Sequence, residues 1–233
     1  MKKTILIALL IGLGLAATAQ EFTFYGEGVI PTGRYGKSMI TNFDGGYRPV
    51  SAITDTANSL GGASYGWGAG FQFAFPMANN GIDLVFDAGF RMNWVDGKIQ
   101  GYFDDYAAHN GTEGITSAPH YYNIPLMVGP RFTAKVAEGL NFYLGLMAGF
   151  DIRIISDAIY APDLFYDYYS AGVLGLRASA GVLFYDHIRI EVNWSWLGNN
   201  AVEATLYDGI YHNRGALGNM ETMQFGARVG WTF

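Results

Sequence analysis

Residues 82–94 read IDLVFDAGFRMNW, and apolar and polar or small positions alternate along this stretch. The even-numbered positions are all apolar, whereas the odd-numbered ones hold two Asp, one Val, one Gly, one Arg and one Asn. Successive side chains of a β-strand point to opposite faces, so a period of two predicts a strand with one apolar face. The stretch is also much longer than the roughly five or six residues of an ordinary strand.

The same alternation recurs in seven other segments, at residues 22–30, 63–75, 122–134, 140–152, 174–184, 188–196 and 222–233. The connections between the eight predicted strands alternate in length. Short turns are predicted at 76–81, 135–139 and 185–187, and long loops at 32–62, 95–118, 153–170 and 197–219. An even number of strands with short periplasmic turns and long extracellular loops is typical of a transmembrane, antiparallel, up-and-down β-barrel. The sequence therefore predicts an all-β barrel of eight strands.

The composition excludes several other classes of protein. Only 15% of the 233 residues are charged, against roughly 25% in ordinary soluble domains. The absence of Cys excludes a disulfide scaffold, an iron–sulfur protein and a lipid-modified Cys. A formal charge of -6 disfavours nucleic acid as a partner, because phosphates require a basic surface. No cofactor and no metal site are predicted.

The first nineteen residues have the pattern of a secretory signal peptide. Met1-Lys2-Lys3 is a short basic start, an apolar run follows, and Ala17-Thr18-Ala19 supplies small residues for cleavage. The apolar run is shorter than the roughly 20 residues that a membrane-spanning helix needs. We therefore expect residues 1–19 to be removed during export, and residues 20–233 to form one barrel domain in the outer membrane.

The polar face of the predicted strands indicates which side of the barrel meets lipid. In a soluble sandwich or lipocalin-like barrel, the solvent face is rich in Lys, Glu and Thr; here it is Gly-rich and carries mainly Arg. An Arg on the lipid face would cost roughly 2–4 kcal/mol near the membrane centre. We therefore expect these charges in the lumen: Glu27, Asp83, Asp87, Arg91, Arg131, Asp151, Arg153, Arg177, Arg189, Glu191 and Arg228.

A lumen formed by eight strands is only wide enough for side chains to fill. The six Arg and five acids in the predicted set nearly cancel in charge, as a buried interior requires. We predict a salt-bridged plug in which Arg228 reaches Glu191 or, across the closing seam, Glu27. Glycines on the inward face are expected to make room for the long arginines. In a second interpretation, the same charges line a narrow solute path.

The end of the chain, residues 225–233, reads FGARVGWTF. Its alternation and terminal aromatic residue resemble the sorting signal of the eight-stranded outer-membrane β-barrel superfamily of Gram-negative bacteria, which includes the transmembrane domain of outer-membrane protein A. The likeness covers residues 20–233. It implies that the barrel-assembly machinery recognises Phe225, Val229, Trp231 and Phe233. It also implies a barrel surrounded by outer-membrane lipid and lipopolysaccharide.

The predicted outer loops are acidic and rich in Tyr, which gives them the composition of a contact surface. We expect either that these loops bind an extracellular partner or that they are strand extensions above the membrane, with divalent cations bridging their acids to lipopolysaccharide. The four histidines, at 109, 120, 187 and 212, lack the close spacing of a strong metal motif. The sequence thus favours a non-enzymatic, monomeric barrel with a structural or surface-interaction role. A narrow porin-like channel is the alternative, and a barrel enzyme acting on lipid or peptide is a third.

Overall fold

The computed structural model describes residues 21–36, 61–78 and 81–233, so the predicted signal peptide and most of the first predicted loop lie outside the described residues. Within these ranges the chain forms one helix, α1 (Gly97–Asn110), and ten strands. The strands are β1 (Glu21–Thr32), β2 (Ala63–Ala78), β3 (Ile82–Val95), β4 (Tyr121–Ala137), β5 (Leu140–Ile155), β6 (Ala158–Ala161), β7 (Leu164–Tyr168), β8 (Ala171–Phe184), β9 (Ile188–Asp208) and β10 (Tyr211–Thr232).

Eight of these strands close into an antiparallel barrel. Their order around the barrel is β1, β2, β3, β4, β5, β8, β9 and β10, and β10 pairs with β1 from Thr23↔Thr232 to Thr32↔Met223. Each strand of the wall is therefore paired on both sides, which removes the free edges of an open sheet. The eight-stranded barrel predicted from the sequence is confirmed.

The burial of side chains is reversed relative to that of a water-soluble protein. Taken as whole residues, Phe24 and Ile30 of β1 are 53% and 63% exposed, whereas Tyr25 and Glu27 are 6% and 7% exposed. The same alternation continues around the wall, where apolar side chains cover the outside and charged ones lie inside. An apolar outer surface and a polar interior are the arrangement that a barrel adopts in lipid. Among the described residues, no helix has the length and apolar character of a membrane span.

Three of the segments predicted as outer loops contain regular structure, and only part of it is the strand extension that the sequence allowed. Residues 95–118 include α1. The helix begins after Asp96, whose side chain accepts a hydrogen bond from the Lys98 N–H at 2.9 Å, and it ends at Gly111, which has a left-handed conformation. Residues 153–170 include the β6–β7 hairpin, and residues 197–219 extend β9 and β10 beyond the wall to a turn at Gly209–Ile210. The period-two pattern fades in these segments because their apolar residues pack on one another rather than against lipid.

These segments fold together into a cap over the outer mouth of the barrel. We define the cap as α1, β6, β7 and residues 199–221 of the β9–β10 hairpin. Tyr160 lies at its centre, 4.7 Å from the Phe103 ring and 5.1 Å from the Tyr106 ring between centroids. The same buried cluster includes Ile99, Tyr102, Tyr168, Val202, Ala204 and, at the barrel rim, Tyr35, Tyr121 and Ile155. The cap is therefore a small apolar core outside the membrane.

Candidate functional site

The candidate functional site is the charged interior of the barrel. Its middle layer is a set of six residues that we call the central charge network: Glu27, Asp87, Arg91, Arg177, Glu191 and Arg228. All six side chains are at most 2% exposed. They come from β1, β3, β8, β9 and β10, and each is directed inward by the two-residue alternation of its strand.

Arg228 is the centre of this network. Its Nε donates to Glu27 at 2.6 Å, and its Nη1 donates to Asp87 at 2.8 Å and to Glu191 at 3.2 Å. Its guanidinium carbon also lies 4.0 Å from the centre of the Tyr25 ring. Glu27 and Glu191 are the residues directly opposite Arg228 on the two neighbouring strands. Strand register therefore places one cation between two anions.

Two further arginines connect the network across the lumen. Arg91 contacts Glu27 and donates from Nη1 to Gln224 at 3.1 Å. Arg177 on β8 contacts Asp87 on β3, so this pair joins strands three positions apart in a ring of eight. Buried charges of opposite sign that share hydrogen bonds compensate one another's loss of water. The central charge network consequently spans the lumen from β3 to β8.

A second group, the periplasmic charge cluster, consists of Glu21, Asp83, Arg131 and Arg189. Arg131 donates to Glu21 at 2.6 Å and to Asp83 at 2.8 Å, and Arg189 donates to Glu21 at 3.0 Å. The Tyr143 ring lies 5.7 Å from the Arg131 guanidinium and 4.9 Å from that of Arg189. Glu21 was not among the predicted lumen residues. Extending the alternation of β1 from Glu27 toward the N-terminus would have placed it on the inward face. With Glu21 included, six acids face six arginines.

The outer part of the lumen holds Asp151 and Arg153. Arg153 donates to two backbone oxygens, Met220 O at 2.9 Å and Leu197 O at 2.8 Å. Asp151 is 0% exposed, and neither of its carboxylate oxygens receives a hydrogen bond from the described residues. The structure thus joins nine of the eleven predicted lumen residues in the central charge network and the periplasmic charge cluster.

The inward glycines make room for tyrosines and other groups rather than for the arginines that the sequence analysis expected. A Cβ at Gly70 would overlap with the Tyr25 hydroxyl, and one at Gly181 would overlap with that of Tyr143. At Gly226 the obstructing side chain is Asn193. Each of these two tyrosines lies directly opposite the glycine on the neighbouring strand. The period-two pattern identified the small inward positions but could not identify the side chains that fill them.

The described residues offer little that resembles a catalytic or metal centre. They contain no group of three or more His, Cys, Asp or Glu side chains placed to hold a metal ion. His187 packs flat on Trp231 with 5.2 Å between ring centroids, and its Nδ1 lies 3.0 Å from Thr232 O. His212 packs against Tyr207 in the cap. Tyr160 also lies in the cap, where burial and neighbouring tyrosines raise its pKa well above the usual value. The ring contacts of His187 and His212 are therefore packing contacts with aromatic side chains.

A closed antiparallel barrel of eight strands, with an apolar exterior and an ion-paired interior, defines a small transmembrane β-barrel protein. Among solved structures, the chain is similar to Neisserial surface protein A (8% identity, TM-score 0.48, covering 91% of this chain and 94% of that one). It is also similar to the outer membrane protein OprG from Pseudomonas aeruginosa (13%, 0.48, 93% and 97%). The outer membrane protease OmpT from Escherichia coli is a more distant likeness (13%, 0.34, 73% and 65%).

No protein-family model matches the chain, and no curated protein matches it. The strand order and the distribution of apolar and charged side chains therefore define its class.

Proposed function

We propose that this protein is an integral outer-membrane barrel with a closed lumen, which acts in a structural or surface-interaction role through its extracellular cap. The observation that carries the proposal is the central charge network, which connects five of the eight wall strands across the lumen. The proposal includes export by the signal peptide, insertion by the barrel-assembly machinery and a monomeric barrel.

The energetics of the buried charges support a closed lumen. A solute that passed through the barrel would have to separate Arg228 from its three carboxylate partners, or Arg177 from Asp87. Removing one partner from a buried ion pair costs about 3–5 kcal/mol, because the remaining charge is left without compensation. The network has several such pairs in one layer, so conformations in which the lumen is open have a low population.

The cap supports a role at the outer surface. Its exposed side carries acids such as Asp104, Asp163 and Asp208 together with aromatic side chains, and Tyr211 is 73% exposed near the hairpin tip. Tyr offers large contact area at little cost in conformational entropy. We propose that this surface contacts lipopolysaccharide through divalent cations or binds an extracellular partner.

Conductance across a planar lipid bilayer tests the closed lumen. We expect the purified protein to give no stable unitary steps, and Asp87→Asn to introduce them because it removes the negative charge that Arg177 and Arg228 share. Glu203→Gln is the matched control, since Glu203 pairs with Arg214 on the exposed cap surface. Regular unitary steps from the unmodified protein would favour the narrow porin-like channel instead. Hydrolysis of lipid or peptide by the purified barrel would favour the enzyme.

A further inference from the structure

The part of β9 and β10 that extends beyond the wall keeps one face toward the outside of the barrel. Each strand has one irregularity in its pairing, near residues 197–198 on β9 and at Leu217 on β10. Such a bulge changes which positions of a strand point outward. Beyond the bulges, Val202 and Ala204 are buried in the cap core, so the alternate residues of β9 point away from it. The outer face of the extension therefore continues the lipid-facing surface of the wall.

A row of three rings crosses this outer face, to which β7 also contributes. Strand register pairs Phe165 of β7 with Tyr207 of β9, and Tyr207 with His212 of β10. The Phe165 and Tyr207 rings are stacked with 4.5 Å between their centroids, and the His212 ring lies 4.4 Å from that of Tyr207. The rings thus hold one another in position on the outside of the cap.

A second row next to the rings is polar. Strand register places Asp167, Thr205 and Arg214 side by side. The Arg214 guanidinium carbon lies 4.2 Å from the centre of the Tyr169 ring, whose hydroxyl is 2.9 Å from Thr205 Oγ1. Side chains that are held in place before a ligand arrives lose less entropy when it binds. We call the two rows together the cap sheet face: Phe165, Asp167, Tyr169, Thr205, Tyr207, His212 and Arg214.

The position of the cap sheet face indicates what it meets. Trp196 is the last residue of β9 that pairs with β8 in the wall, and Trp concentrates at the boundary between membrane and water. Thr205 comes nine positions later in the chain, which is about 23 Å further out for a strand tilted by ~40°. The face is turned sideways, toward the lipids around the barrel, at the height of their head-group sugars.

The side chains of the cap sheet face suit a sugar better than a phosphate. A sugar ring has hydroxyl groups at its rim and C–H groups on its two sides, so aromatic rings combined with carboxylate or guanidinium groups bind it. The cap sheet face carries both kinds of group. It has one Arg and no Lys, and Asp167 balances the charge of Arg214. The face therefore lacks the excess of positive charge that phosphate groups require.

We propose that the cap sheet face binds neutral sugars of the lipopolysaccharide oligosaccharide directly, without a bridging metal ion. The rings of Phe165, Tyr207 and His212 contact the C–H groups of the sugar, and Asp167 and Arg214 bind its hydroxyl groups. This inference rests on the proposed function, because it requires the cap to lie outside an outer membrane. Of the contacts proposed for the cap, it selects direct binding of lipopolysaccharide.

Titration of the complete barrel in detergent micelles tests the site. The probe is the core oligosaccharide of a rough lipopolysaccharide, freed from lipid A by mild acid and then dephosphorylated. We expect its addition to shift backbone NMR signals of β7 and of residues 203–216, to leave those of the periplasmic turns unchanged, and to do so equally in EDTA. Loss of binding in EDTA, or binding of the phosphorylated oligosaccharide alone, would overturn the proposal.

Substitutions separate the cap sheet face from the rest of the surface. Tyr207→Ala removes the central ring of the row and should weaken binding by about tenfold, whereas Tyr207→Phe should stay within about twofold of wild type. Tyr185→Ala is the matched control, because that tyrosine is 76% exposed at the periplasmic end. Wild-type affinity in Tyr207→Ala would contradict the site. Should Tyr207→Ala fail to give the heat-modifiable band of a folded barrel, His212→Ala replaces it, with an expected loss of about threefold.

A second copy of the chain is the competing occupant of the face. Signals of the cap sheet face that shift with protein concentration in the absence of oligosaccharide would show such self-association and overturn the proposal. The inference and the proposed function can fail separately. Conductance by the unmodified barrel would contradict the closed lumen and leave the titration unchanged, whereas a silent barrel that does not bind the oligosaccharide would contradict the sugar site alone.

Discussion

Arg228 on β10 lies directly opposite Glu27 on β1, and its Nε donates to the Glu27 carboxylate at 2.6 Å across the seam that closes the barrel. The first and last strands of the chain are therefore joined by a buried ion pair as well as by their backbone ladder. Because Arg228 also contacts Asp87 and Glu191, the seam and the central charge network depend on the same side chain.

We expect Glu27→Gln to lower the free energy of unfolding by about 3 kcal/mol, because it leaves Arg91 and Arg228 buried with one negative charge fewer. The measurement is the urea unfolding midpoint of the barrel in lipid vesicles. Glu203→Gln, which removes the acid of the exposed pair with Arg214, should leave that midpoint unchanged. Equal midpoints for the two variants would show that the buried network does not stabilise the barrel.

Gly181→Ala should destabilise the barrel by about 1–3 kcal/mol, since overpacking forces neighbouring groups to move. The added Cβ would lie 2.5 Å from Ile190 O and would also meet the Tyr143 hydroxyl. Gly28→Ala is a control in the same barrel, because a Cβ at Gly28 has no atom within 4 Å. Unfolding in vesicles compares the two, and a loss at Gly28 as large as that at Gly181 would contradict the tyrosine contact.

Deletion of Phe233 should reduce assembly in the outer membrane several-fold. Phe233 is 69% exposed; its N–H donates to Phe22 O at 2.8 Å, and its ring lies 6.1 Å from that of Phe22 between centroids. A loss much larger than that of a comparable wall phenylalanine would therefore reflect recognition during insertion. The amount of heat-modifiable barrel in outer-membrane fractions measures the effect, and Phe150→Ala removes a comparable lipid-facing ring as the control. Normal levels of the truncated chain would count against the sorting signal.

Tyr160→Ala should loosen the cap and leave the wall intact. The substitution removes the ring at the centre of the cap cluster and should cost about 3 kcal/mol of local stability. Protease added outside intact cells should then cut the cap faster, while the wall keeps its heat-modifiable migration. Tyr211→Ala is the control because that ring is 73% exposed. Unchanged cleavage in Tyr160→Ala would mean that the cap does not depend on its aromatic core.

The wall of the barrel could be predicted from the sequence because each of its residues faces one of two very different environments. Lipid on one side and a narrow lumen on the other impose a period of two, and this pattern located all eight wall strands and the inward charges other than Glu21. The cap does not show this period of two. Helix α1 instead has apolar residues at the helical spacing 99, 102, 103, 106 and 107, and a search for that spacing would have identified the helix. The β9–β10 extension carries mixed side chains on both faces and resembled a loop.

The sequence by itself determined the fold class, the orientation of each wall residue and the near balance of charge inside. Those properties depend on the alternation of apolar and polar residues and on the cost of a charge in lipid, so the sequence of each strand is enough to predict them. The tertiary structure decided which charges meet. Arg228 lies between Glu27 and Glu191 because of strand register, and Arg177 reaches Asp87 because the barrel closes. Arg153 donates to Leu197 O and Met220 O where the wall becomes the cap, a place that exists only once β9 exchanges β8 for β7 as its neighbour.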